Sequence, residues 1–232
     1  MIRHFVDEFQ GWLLKKSSLQ LHVPHIAMYL DLEVQTSDGE VTERRRQRSK
    51  SFVRNAYNLF FHTIAGYPMN DGTWGDGYVN MKNTGGSLSP GSYRGFCFGV
   101  DSNGQGFLSP GSANDFGIVV GTGTGVESFD SFALGTKIAI GNGVGQLYTL
   151  KSEDPVDSYA GLTQKRTLVR YFNNNSGATI ILGEIGLVGR VNTGGDTWIY
   201  TLFSRDLVTP AISIFDKAQL KITYTISLVY PS

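Results

Sequence analysis

From Leu220 to Tyr230 the chain alternates. Leu220, Ile222, Tyr224, Ile226, Leu228 and Tyr230 fall on one side, and Lys221, Thr223, Thr225, Ser227 and Val229 on the other. Successive side chains of a strand point to opposite faces, so this period of two predicts one long strand with an apolar face and a wet one. Such a strand requires partner strands and a facing layer. The same reading predicts strands at 26–34, 93–100, 116–120, 146–150, 165–173, 178–191, 197–204 and 211–215. Residues 173–177 and 192–195 are turns by their Asn and Gly content.

Two segments follow a helical period instead. In residues 1–20, Phe5, Phe9, Trp12 and Leu13 share a side, with Asp7 and Glu8 expected in the first turn and Lys15 and Lys16 in the last. In residues 52–65, Phe52, Ala56, Leu59, Phe60 and Ile64 keep one face, Ser51 is placed to cap, and Gly66 and Pro68 stop the helix. The expected fold is mainly β: an antiparallel sandwich, jelly-roll-like, with one packed helix. Residues 1–25 form an N-terminal helical arm, docked either on its own domain or on a neighbour, and 26–232 a single domain. Helices do not alternate with strands, which disfavours a doubly wound α/β fold.

Composition agrees with many tight turns: 29 glycines against 7 prolines, and only 17% charged residues in 232. The formal net charge is zero, so no global field draws the chain to nucleic acid or membrane. Cys97 is the single cysteine, which rules out an intrachain disulfide and makes a small apolar filler the expectation. No stretch has the length of a signal peptide's apolar core or of a membrane span, and synthesis in a cytoplasm is expected.

Candidate chemistry is sparse, and no catalytic residue, metal or cofactor is expected. The Gly-rich run at 119–126 lacks the third glycine of a dinucleotide fingerprint, since Val126 stands there, and it lacks the Lys-Ser/Thr of a phosphate loop. It reads as a strand exit. His22 and His25 flank Pro24 without a third ligand. Asp71, Asp76 and Asp101 sit in glycine loops as ordinary turn residues. Glu184, inside an apolar strand, needs a partner, with Arg170, Arg190 or Arg205 as candidates. Arg44, Arg45, Arg46, Arg48, Lys50 and Arg54 make the one strong charge run. Asp38, Glu40 and Glu43 adjoin it, so a solvated loop, or an ionic contact to a neighbouring acidic subunit, is expected ahead of nucleic acid.

Several phrases are recurrent. Ser49-Lys-Ser-Phe-Val-Arg-Asn55, the stretch from Gly117 to Gly125, the stretch from Phe132 to Ile138, Glu184-Ile-Gly-Leu187 and the stretch from Leu202 to Pro210 resemble small virion structural proteins of tailed bacteriophages. The resemblance implies a capsid, neck or tail component that works by assembly. It would be made in a host cytoplasm, reside in the virion, and have other virion proteins and copies of itself as partners, as a homo-oligomer. In that role Phe5, Phe9 and Trp12 are candidates for a docking arm, and Arg44, Arg45, Arg46 and Arg48 for a polar rim. The competing expectation is a carbohydrate-binding module for host surface glycans, with Trp74, Tyr78, Tyr93 and Trp198 as stacking faces.

Overall fold

In a computed structural model of the chain we describe residues 2–49, 52–65, 81–89, 106–192 and 198–231. In chain order the elements are helix α1 (Ile2–Gln20), strands β1 (His25–Gln35) and β2 (Val41–Ser49), helix α2 (Arg54–Ala65), and the short strands β3 (Met81–Lys82) and β4 (Leu88–Ser89). Then come β5 (Gly117–Gly121), β6 (Ala139–Ile140), β7 (Gln146–Thr149), β8 (Val156–Ala160), β9 (Thr163–Asn173), β10 (Ile180–Asn192), β11 (Trp198–Ile214) and β12 (Gln219–Val229). Among the described residues the chain is mainly β with two helices.

The alternating C-terminal segment is β12, in the middle of the larger sheet, antiparallel to β1 on one side and β9 on the other. The sheet runs β2-β1-β12-β9-β7-β6, with β8 also on β9. Register places Val34, Leu220 and Phe172 in one row, Leu32, Ile222 and Arg170 in the next, and Leu30, Tyr224 and Leu168 in a third. These side chains are buried and share one core with Leu182, Ile185, Leu187, Phe203, Ile212 and Ile214 of a second sheet, ordered β11-β10-β5. Each fully buried Leu or Ile contributes about 1.5–3 kcal/mol, so this shared core is the main stabilising term. Strand β10 is buried on both faces. Its Val188 joins Val53, Phe116, Val119 and Leu202 in a second cluster, which accounts for its largely apolar sequence.

Four expectations change. The architecture is not wholly antiparallel, because β6 and β7 pair in parallel. The charge run is not a loop: it is β2, and Asp31 and Glu33 on β1 face its arginines across the strand pair, which offsets the like charges. The segments 197–204 and 211–215 belong to one strand, β11. Strand β8, uniformly exposed, has no apolar alternation that would reveal it.

The start of the second helix shifts as well. Helix α2 starts at Arg54, since Phe52 is bridged to Ser204, the Val53 N–H donates to Phe203 O (2.9 Å) and the Arg54 N–H to Phe129 O (2.7 Å). Helix α1, Ile2–Gln20, keeps the expected span of 1–20 to within a residue, but Asp7 and Glu8 lie outside its first turn and Lys15 and Lys16 outside its last. The capping Ser51, the strand expected at 93–100, Cys97, and Asp71, Asp76 and Asp101 lie outside the described residues. No described helix is long and apolar enough to cross a membrane.

Candidate assembly interface

Helix α1 ends in a Schellman cap. The Val23 N–H donates to Ser18 O (3.0 Å) and the His22 N–H to Leu19 O (3.3 Å), with His22 left-handed at φ 54°. The cap turns the chain directly into β1 and sets α1 across the outer face of the larger sheet. Gly11 meets the Arg48 guanidinium there; a Cβ at position 11 would stand 2.8 Å from Arg48 Nη1. Ser18 is buried, as are Ala27 and Ser227, which oppose each other on that face. Gly11, Lys15 and Ser18 recur at four- and three-residue steps, so the helix turns its small and polar side to the sheet.

Its apolar side therefore points away. Phe9, Trp12, Leu13 and Lys16 fall roughly 100–200° around the helix from Gly11. Phe9 is 51% and Trp12 53% exposed, their rings stack with centroids 6.0 Å apart, and Lys16 Nζ lies 4.8 Å from the Trp12 ring centre. Phe5 belongs to the same helix, but its side chain is outside the described residues. Under the helix, Lys15, Arg48 and His25 converge. Burial, then the charges of Arg48 and Lys15, hold the His25 imidazole below its ordinary value.

The other arginines divide. Arg44 binds Glu33 (2.5 Å) and Arg46 binds Asp31 (3.4 Å) on the outer face, where Arg46 also lies over Tyr29. Arg45 points inward, donating to Pro210 O and pairing with Glu43 (2.5 Å), and Gln47 donates to Leu207 O (3.0 Å). Arg45 thus fastens β2 to β11. Arg48 meets α1 at Gly11; Arg44 and Arg46 stand on the same face, each paired with an acid of β1.

Two buried charges hold the loops that surround the core. The Glu184 carboxylate accepts from the backbone N–H groups of Thr136 (2.7 Å), Gly135 (3.0 Å) and Gly123 (3.2 Å), and pairs with Arg205 Nε (2.7 Å). Burial pushes its pKa up, but the Thr136 N–H, Arg205 and the Gly135 N–H outweigh it, and the net shift is downward. The Gly-rich run is thus an anion nest that the protein fills with its own carboxylate. Gly121 closes tightly on it: a Cβ there would lie 2.6 Å from Glu184 Oε1 and 2.6 Å from Thr136 O.

Arg170 is the converse. Its fully buried guanidinium donates to Ile118 O (2.8 Å), Ser109 Oγ (3.0 Å), Phe116 O (3.1 Å), Leu150 O (3.3 Å), Pro110 O (3.4 Å) and Ala113 O. No carboxylate pairs with it among the described residues, and burial brings its pKa down to about 10. Ser109 and Pro110 belong to the second of two Leu-Ser-Pro-Gly-Ser repeats, which the sequence presents only as a turn. Neither buried charge faces an open cleft, and among the described residues no three His, Cys, Asp or Glu converge.

The chain matches no protein-family model, no curated protein and no solved structure. The arrangement therefore speaks through its own geometry. Its outstanding feature is a helix that spends its small and polar side on the domain and leaves its aromatic side outside.

Proposed function

We propose that this chain is a structural subunit of a bacteriophage virion, in the capsid, the head–tail neck or the tail, acting by protein–protein assembly. One observation carries this reading: the stacked Phe9–Trp12 stripe on α1 faces away from the sheet that holds the helix. Aromatic residues are the commonest energetic anchors of protein interfaces, and an apolar stripe kept outward is explained by a partner. The pairing of Arg44 with Glu33 and Arg46 with Asp31 favours protein over nucleic acid, because neutralised arginines release few counterions. On this reading the two sheets form a jelly-roll-like sandwich, the partners are other virion proteins and further copies of the chain, and no chemical reaction is assigned. The carbohydrate-binding alternative has weaker support: Trp198 is half-buried beneath Arg190, 4.4 Å from the ring centre, and Trp74, Tyr78 and Tyr93 lie outside the described residues.

Quantitative mass spectrometry of purified virions from the phage that encodes the chain tests the proposal. The expected result is this chain at a fixed copy number per particle. Particles that lack it sink the virion reading.

A further inference from the structure

We infer that Asn142 is a modification site at which the chain reacts with itself. The Gly143 nitrogen closes on the Asn142 side-chain amide, ammonia leaves, and water opens the ring to isoaspartate or aspartate. This goes beyond the virion reading and does not depend on it.

Asn142 and Gly143 lie in the connection from β6 to β7, and both are exposed. Among the described residues Asn142 is the one asparagine followed by glycine. The follower matters because its backbone nitrogen is the nucleophile. Glycine carries no Cβ to shield that nitrogen and lets the backbone turn it toward the side-chain carbon. Other asparagines lack this freedom. Asn83 is followed by the β-branched Thr84, whose N–H is held by Tyr200 O (2.9 Å). Asn175 is followed by the buried Ser176, whose N–H donates to Asn174 Oδ1 (3.1 Å).

Two hydrogen bonds act on the reacting atoms of Asn142 and Gly143, with opposite effect. Asn175 Nδ2 donates to Asn142 Oδ1 (3.2 Å), the oxygen on which negative charge develops as the nitrogen adds to Cγ. A donor strengthens as its acceptor becomes charged, so Asn175 favours the step. The Gly143 N–H donates to Gln146 Oε1 (3.1 Å). The nitrogen must give that proton to a solvent base before it attacks, and the bond is lost with the proton. Gln146 is therefore a brake.

The bond from the Gly143 nitrogen to Cγ forms and the bond from Cγ to Nδ2 breaks, with ammonia taking its extra proton from water. A water molecule then opens the succinimide. Addition at the main-chain carbonyl leaves the peptide running through Cγ, as isoaspartate, and addition at Cγ leaves aspartate. Either product adds a negative charge to a chain whose formal net charge is zero.

The test is to hold the full-length protein near neutral pH in heavy-oxygen water for weeks, then digest it and sequence the Asn142 peptide by tandem mass spectrometry. The expected result is a steady gain of solvent oxygen in that peptide, isoaspartate exceeding aspartate, with a matching acidic band on isoelectric focusing. Gly143→Ala should slow the gain by on the order of tenfold. Asn175→Ala should slow it about threefold and Gln146→Ala should speed it about threefold, the worth of one hydrogen bond at each reacting atom. A peptide that stays unlabelled overturns the inference, whatever happens at Asn103-Gly104, the other such pair, which lies outside the described residues. Rates unmoved by Asn175→Ala and Gln146→Ala overturn the roles given to those two side chains. Virion composition is read separately, so loss of either result leaves the other standing.

Discussion

Arg170 and Glu184 are both fully buried charges in strands, and they are stabilised by opposite means. Arg170 on β9 reaches into the segment before β5, β5 itself and the residue just after β7, and is met almost wholly by backbone carbonyls, with no counter-charge among the described residues. Glu184 on β10 is met by backbone N–H groups and by Arg205. The first is a cation held by dipoles alone and bears its full desolvation, visible as a pKa brought down to about 10. The second forms a neutral pair inside a nest and keeps its ionised form favoured. Strand β5 runs between them, with Gly117 against the Arg170 cage and Gly121 against the Glu184 nest. A buried charge can thus organise loops with or without a partner ion, provided every donor or acceptor around it is used.

The largest expected effect comes from removing the unpaired cation. Arg170→Met fills the space yet orphans several buried carbonyls, and should cost on the order of 3–5 kcal/mol. Urea unfolding of wild type and variant measures it, and an unchanged midpoint would show that the cage contributes nothing. Glu184→Gln comes next. It keeps the shape but leaves Arg205 buried without its ion, for about 2–4 kcal/mol at neutral pH.

The two centres also separate by pH. Glu184 has a folded pKa below its unfolded one, so its stabilisation is complete above the ordinary carboxylate range and is lost as pH falls through the folded value. Wild type should therefore lose stability in acid more steeply than Glu184→Gln. Arg170→Met should retain the wild-type acid slope, because a folded pKa lowered to about 10 affects stability only above that pH, where deprotonation eases the burial. Matching acid slopes for wild type and Glu184→Gln would remove the Glu184 half of the comparison.

Glycine substitutions within β5 give smaller effects. Gly117→Ala places a Cβ 2.7 Å from Phe107 O in a backbone with φ 83°, so two penalties add, whereas Gly121→Ala meets only crowding. Costs of about 2–4 and 1–3 kcal/mol are expected, in that order. Equal thermal midpoints for the two variants would dissolve the distinction. The smallest change is Arg44→Ala, whose exposed pair with Glu33 should be worth less than about 0.5 kcal/mol. It serves as the surface control for both buried centres.

Much of this was legible from residue order. The alternation from Leu220 to Tyr224 predicts β12 and its buried face, though the row stays fully covered only that far, with Ile226 and Leu228 half-buried. Strand β10 and the turn at 173–177 also follow from pattern. Asn174 is buried at that turn and donates to Ala178 O nearby in the chain and to Ile214 O on β11 (both 2.8 Å), a corner with one partner on a distant strand. Strand β2 was hidden because its carboxylate neighbours sit on β1, at a separation that a local charge count reads only as a solvated run. The helical stripe at Phe9 and Trp12 was plain, but the side of α1 that meets the sheet was not.

Local order by itself determined strands β1, β5, β9, β10 and β12, both helices and the apolar stripe of α1, because alternation and helical period depend on neighbouring residues alone. Only tertiary structure decided that Arg205 and not Arg170 answers Glu184, that Arg45 turns inward while Arg44 and Arg46 face out, and that α1 lies down on Gly11 and Ser18. Each of those outcomes depends on groups far apart in the chain competing for the same buried space. Hydrogen-bond geometry and desolvation settle that competition, and no period in the sequence records them.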